Sequence, residues 1–161
     1  YYEAIADFNR AIELNPNYAN AYFERGNSKK KLGNSFSSDY DKAIELNPNY
    51  FDAYFKRGIL KDSLKDHYGA IADFTKVIEL KPDFANAYFE RGNSKAKLKD
   101  CYGAITDFNR VIELKPTDGK AYRAIGYARV YLNQDYCPDF KKACELGICE
   151  DYNQLCKSNE K

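Results

Sequence analysis

Apolar residues recur along this chain with a helical period, and the helical pattern itself repeats. Within 70–80, Ala70, Phe74, Val77, Ile78 and Leu80 fall at helical spacings, which gathers them on one face of an α-helix. The run stops at Lys81-Pro82, where proline disfavours helix in the residue before it. The same block, AIADFTKVIELKP at 70–82, stands as AIADFNRAIELNP at 4–16 and as AITDFNRVIELKP at 104–116. Shortened versions occupy 37–48 and 137–146.

A second block lies between these. ANAYFERGNSK occurs at 19–29 and unchanged at 85–95, with variants at 52–61 and 120–129. Its glycines, Gly26, Gly58, Gly92 and Gly126, are 32, 34 and 34 residues apart. It too reads as a helix, with Tyr54, Gly58 and Leu64 on the inward side of one copy. A glycine recurring inside a helix needs a reason, and the one expected is close backbone approach by a paired helix presenting a small residue, Ala70 or Ala104. Two helices per period, a tight turn and a proline break make a hairpin of helices that buries its apolar face only by stacking on its neighbours.

The chain is expected to divide into a second helix of an incomplete repeat (1–16), four repeats (17–48, 49–82, 83–116 and 117–146), and a capping helix and tail (147–161, helix at 149–158). The first and last full repeats lack two residues near Gly33-Asn34 and Asn133-Gln134, so tighter turns are expected there.

These columns resemble the tetratricopeptide repeat (TPR) family. Tyr88, Gly92, Ala104, Phe108 and Pro116, with Tyr54, Gly58, Ala70, Phe74 and Pro82 one repeat earlier, fill its aromatic, glycine, alanine, aromatic and proline positions. The resemblance covers about nine tenths of the chain. It implies an all-α, right-handed superhelical solenoid of stacked antiparallel helix pairs with a C-terminal capping helix. Two columns depart from the family. Arg25, Arg57 and Arg91 replace the usual Leu before the glycine, with Ile125 only in the last repeat. Lys29, Lys61, Lys95 and Arg129 replace the aromatic three residues after it.

The resemblance also implies a concave surface, lined by the first helix of each repeat, that contacts an extended or helical ligand. Phe23, Phe55 and Phe89 form one column that Arg123 continues; Asn27 and Asn93 form another, interrupted by Ile59 and extended by Tyr127; Glu24, Lys56, Glu90 and Ala124 form a third. Asparagines donate to and accept from a ligand backbone, and aromatic rows supply contact energy. The bland alternative has the phenylalanines packing between helices and the asparagines merely solvated. The family's carboxylate clamp for chaperone tails needs a lysine at Phe23 and basic or amide groups at Glu24 and Glu90; Asn27 survives but the cations do not, so chaperone-tail binding is not expected.

The arginine column recurs with aspartates, Asp7, Asp39, Asp73, Asp107 and Asp139. A semi-buried guanidinium needs a carboxylate, so these pairs read as structural, within one repeat or between two. His67, the single histidine, lies in a turn without a catalytic constellation. No metal motif or phosphate loop appears, so neither catalysis nor a cofactor is expected.

Five cysteines are present. Cys101 stands alone; Cys137 and Cys144, then Cys149 and Cys156, are each seven residues apart, on one face of a helix. Both pairs are symmetric about Leu146-Gly147, so a hairpin turning there brings Cys137 to Cys156 and Cys144 to Cys149. Two disulfides, four buried thiols, or zinc against unfavourable spacing all remain open; disulfides point to an oxidising, extracytoplasmic compartment.

Charge is balanced, with 25 basic and 24 acidic residues, so no net field recruits nucleic acid, and no apolar run is long enough for membrane insertion. The absence of Met and the opening within a pattern are expected of a fragment or processed product. The sequence therefore points to a protein or peptide partner held in the groove. The alternatives are homo-oligomerisation through the N-terminal half-repeat, whose Ile5, Phe8, Ile12 and Leu14 lack a covering helix, and a regulatory array of a larger protein.

Overall fold

The computed structural model describes residues 1–33 and 37–157, without the side chain of Ser37. These residues form ten α-helices and no strand: α1 (Tyr2–Leu14), α2 (Ala19–Lys31), α3 (Ser37–Leu46), α4 (Phe51–Ser63), α5 (His67–Leu80), α6 (Ala85–Lys97), α7 (Cys101–Leu114), α8 (Gly119–Tyr131), α9 (Cys137–Glu145) and α10 (Glu150–Leu155). They fall into two compact units, Tyr1–Lys81 and Pro82–Lys161.

Local chemistry sets the helix ends. Asn15, Lys81 and Lys115, each before a proline, take φ of -142°, -144° and -142°, the extended backbone a following proline demands. Asp66 and Asp100 open α5 and α7 by accepting from the backbone N–H of Gly69 and Gly103 at 2.9 Å, a cap worth about 1 kcal/mol.

The structure corrects the account of the helix glycines. What meets them is the aromatic ring of the paired helix. A Cβ on Gly58 would lie 2.8 Å from Phe74, on Gly92 2.7 Å from Phe108, on Gly126 2.5 Å from Phe140 and on Gly26 3.0 Å from Tyr40. These rings are 0–1% exposed. Ala70 and Ala104 are also fully buried, but the aromatic four residues later fills the gap. In the first unit Phe23, Tyr40, Ala43 and Ala53 share a core; in the second, Ala104, Phe108 and Ile125 do.

Each arginine bonds the aspartate of its own helix pair. Arg57 donates from Nε and Nη2 to Asp73 at 2.9 and 2.6 Å, and Arg91 does the same to Asp107 at 3.0 and 2.6 Å. Arg25 meets Asp39 likewise. The lysine column converges on the same carboxylates: Lys29 on Asp39, Lys61 on Asp73 and Lys95 on Asp107, at 2.8, 2.9 and 2.7 Å. The two departures from the family thus form one device, a nearly dry carboxylate between two cations. Remaining arginine donors reach backward to Asn9 from Arg25 and to Asp41 from Arg57. The last pair has Ile125 in place of arginine, and among the described residues Asp139 keeps only Arg129 as a cation, at 2.7 Å. Burial pushes the Asp139 carboxyl above its usual range, against the pull of Arg129. A carboxyl raised in the folded state binds its proton more readily there than in the unfolded chain. Its contribution to stability therefore falls as pH rises through the carboxylate range.

Three further expectations are revised. Leu64 is 69% exposed, because α4 ends at Ser63 and leaves it beyond the packed face. The last turn is not tighter: five residues, 132–136, separate α8 from α9, against three between α4 and α5. Gly33, Lys65, Lys99 and Asn133, each seven residues after a helix glycine, all have positive φ of 53–71°. This left-handed residue fixes where the first helix stops, so the missing residues come out of α9, which has 9 residues where α5 and α7 have 14. The other turn, near Gly33-Asn34, runs into 34–36, outside the described residues. The terminal helix is shorter than expected, and residue 158 likewise lies outside them.

Two outcomes are expected. Gly92→Ala drives a methyl into Phe108 and costs about 1–3 kcal/mol, where alanine in a free helix would gain about 1 kcal/mol; urea unfolding measures which sign holds. In the same assay Asp107→Asn, which takes the shared charge away from Arg91 and Lys95, costs about 3 kcal/mol. Asp139→Asn, facing one half-exposed arginine, costs clearly less; equal losses would refute the triad account.

Candidate functional site

The groove columns project from first helices, α2 and α4 in one unit, α6 and α8 in the other, and their surroundings make them unequal. In the first unit Phe23 is 7% exposed with its ring 4.9 Å from Tyr50 and 5.9 Å from Tyr40. It is a core residue, withdrawn from any groove, because Tyr50 roofs it. Phe55 and Phe89 remain half-buried, propped 5.7 and 5.6 Å from Phe74 and Phe108.

The asparagines differ by one oxygen atom. Asn27 accepts from the hydroxyl of buried Tyr40 at 2.9 Å and donates to Glu24 at 3.2 Å. Burial, then Glu24 and Asp39, push the Tyr40 phenol up to about 12, so it stays a donor and Asn27 is committed to the fold. Asn93 also donates to its glutamate, Glu90, at 3.3 Å. Phe108 stands where Tyr40 does and has no hydroxyl to offer. The Asn93 carbonyl therefore has no protein partner among the described residues. Nothing in the hydropathy pattern marked this; the Tyr-for-Phe exchange at position 40 was the available signal.

Around Asn93 lies a cleft between α6 and α8 of about 570 Å³. Phe89, Ala96, Phe108 and Ala124 give it an apolar floor, and Asn93, Lys120, Arg123 and Tyr131 stand among the polar and aromatic groups on its walls. Cys101 also lines it, 4% exposed, and burial raises its thiol above the ordinary range, so at neutral pH it is a buried hydrophobe rather than a nucleophile. Arg123 and Tyr127, expected to face a ligand, line this cleft and also meet α10: Tyr127 donates to Asp151, and the Arg123 Nε lies 4.0 Å from the other Asp151 oxygen. That hydrogen bond, then burial, raises the Tyr127 phenol.

The first unit carries a smaller pocket of about 390 Å³ lined by Asn27, Lys30, Lys31 and Lys56. Burial, then Lys56 and Lys31, lower the Lys30 ammonium. Of the third column, Lys56 thus borders a cationic hollow, while Glu24 and Glu90 are held by their asparagines.

Both possible disulfides are present, Cys137–Cys156 and Cys144–Cys149. The first joins Cα atoms 5.6 Å apart, within disulfide reach, because the two helices turn at Gly147 with φ +94°. Cys101 is free. His67 Nδ1 lies 2.9 Å from Asp62 at the start of α5. Among the described residues no group of three or more His, Cys, Asp or Glu could hold a metal, and no helix is long and apolar enough to cross a membrane.

Family models described as TPR repeat (residues 1–33) and Tetratricopeptide repeat (residues 39–72 and 85–118) match the chain. No curated protein matches it. Among solved structures it is similar to MamA protein, 22% identical with TM-score 0.84 over 94% of this chain and 84% of that one. It is also similar to MamA 41-end from Desulfovibrio magneticus RS-1, 21% identical, TM-score 0.85, over 93% and 87%. A third is YrrB, titled a TPR protein with an unusual peptide-binding site, 21% identical, TM-score 0.86, over 98% and 83%. At such identities the likeness is one of fold.

The contrast between the asparagines is measurable in stability alone. Asn27→Ala removes the acceptor of the buried Tyr40 hydroxyl and costs about 1–3 kcal/mol; Asn93→Ala removes no such acceptor and stays within about 0.5 kcal/mol. Thermal unfolding of the two variants compares them.

Proposed function

The chain belongs to the tetratricopeptide repeat family, and from that premise we propose that it is a non-catalytic scaffold holding a peptide or protein segment in the cleft between α6 and α8. The observation that carries this is the half-exposed amide of Asn93 standing over an apolar floor. An apolar hollow with a few convergent polar groups is the usual form of a binding site, and an unsatisfied amide carbonyl accepts a backbone N–H whatever the side chain. The similarity to YrrB, a TPR protein with an unusual peptide-binding site, supports a peptide as the ligand class. The two disulfides support an oxidising compartment as the place where the chain folds.

A second reading, self-association through α1, has its own observation. That helix holds no buried residue, and Ile5, Phe8 and Ile12 are only half-covered. Sedimentation velocity over a hundredfold concentration range separates the two readings, since a constant monomer removes this one.

For the scaffold, peptides selected from a random library on the intact protein are the probe. The double variant Asn93→Ala, Tyr131→Ala removes one polar and one exposed cleft residue. It is expected to weaken selected peptides at least about tenfold, or 1.4 kcal/mol, with an unchanged melting temperature. Undiminished binding defeats the cleft.

A further inference from the structure

We propose that α10 is a disulfide-held latch that occupies the Arg123–Tyr127 edge of the α6–α8 cleft with its own carboxylate, and that reduction of its two bridges opens that edge to an acidic side chain of the bound segment. This rests on the cleft reading above and names the chemistry and control of one of its edges.

The six residues of α10 are too few to hold a helix by themselves, since isolated helices shorter than about 12 residues are marginal. Within it only Asp151 is buried, at 8% exposure, and a carboxylate is a poor anchor for a helix unless fully satisfied. Asp151 is not. One oxygen accepts from Tyr127, while the other takes no hydrogen bond and has Arg123 only at 4.0 Å. The two disulfides supply a fixed hold that this carboxylate does not. Cys137–Cys156 ties the end of α10 to the start of α9, and Cys144–Cys149 ties the end of α9 to the residue before α10.

Arg123 and Tyr127 also line the cleft. The resident Asp151 thus identifies what this edge recognises. A phenol donor and a guanidinium converge on a carboxylate, and a partner's carboxylate approaching along the cleft competes with one already tethered in place. An intramolecular ligand held at high effective concentration excludes a free one of similar contacts.

Release is thiol–disulfide exchange with a dithiol, either a small molecule or the active site of a redox protein. A thiolate attacks a sulfur of the half-buried Cys144–Cys149 bridge, or the half-buried Cys137 sulfur of the bridge to buried Cys156, breaks the S–S bond and forms a mixed disulfide. The second thiol of the reductant then displaces the protein sulfur. Each bridge ends as two cysteine thiols, the reductant as a disulfide, with two electrons and two protons passed to the protein. Without the bridges α10 loses its register on α9, and Asp151 leaves Tyr127 and Arg123.

The test uses the whole chain, oxidised and reduced with dithiothreitol, and two fluorescein-labelled probes, Glu-Glu-Leu-Phe-Glu-Glu and its Gln-for-Glu counterpart. Anisotropy titration is expected to show the acidic probe binding at least about tenfold more tightly to the reduced form. The neutral probe should change little. The variant Cys137→Ser, Cys156→Ser, Cys144→Ser, Cys149→Ser should behave as reduced in either condition, and Arg123→Ala should remove the gain. Independently, hydrogen exchange at 150–155 should accelerate on reduction while α6 and α7 stay protected. Unchanged exchange at 150–155 overturns the latch whatever the probes do. If the neutral probe binds both forms equally and the acidic one shows no redox gain, the latch falls and the cleft reading survives. If neither probe binds any form, both fall.

Discussion

Each helix pair is held by an aromatic ring of the second helix pressed against a glycine of the first. Phe74, Phe108 and Phe140 sit where a Cβ on Gly58, Gly92 or Gly126 would be less than 3 Å away. The missing side chain lets ring and backbone touch, which fixes the distance and the roll of the two helices together. That contact then positions other residues. Phe55 and Phe89 stay half-buried because they lean on the rings behind them, and the arginines before Gly58 and Gly92 are carried to the aspartates before Phe74 and Phe108.

The charged triads add a second constraint of a different kind. A buried ion pair is weak evidence for stability, because desolvation offsets much of the attraction. Here two cations share one carboxylate, Asp107 at 3% side-chain exposure, while the cations keep 17–20%. The carboxylate carries most of the desolvation, and both cations keep a solvated edge. Closure within one helix pair means that partners lie 10 to 16 residues apart. Each hairpin can therefore satisfy its own charges before it stacks on a neighbour, which keeps contacts local and folding fast. In a chain where α2 and α6 begin with the same eleven residues, self-sufficiency of this kind limits the penalty of a wrong neighbour.

The period, the helices and which cysteines face one another were legible because each depends only on spacing along the chain. Cys137 mirrors Cys156, and Cys144 mirrors Cys149, about one turn, and no packing detail alters that symmetry. The misjudged features depend on what stands opposite. Ala70 and Phe74 share one helix face, and spacing alone does not say which of them meets Gly58. Phe23 and Phe89 occupy one column within identical local sequence, yet the ring of Tyr50 covers only the first. The short last turn was misplaced for a related reason: the left-handed residue at Asn133 ends α8 at its usual place, so the deletion shortened the following helix.

The column that begins at Asn27 shows how this scaffold separates stability from recognition. Asn27, Ile59, Asn93 and Tyr127 hold the same place after their glycines, and the ring contact gives them the same local backbone. What each can do is then set by one neighbouring group. A hydroxyl on Tyr40 consumes Asn27, its absence from Phe108 releases Asn93, and a carboxylate on α10 engages Tyr127. None of these exchanges touches the glycine, the ring or the triad, so each changes the surface without a large cost to the fold. Repeats of this kind therefore carry their specificity in the variable columns. The residues that make the family recognisable are the ones that say least about what it binds.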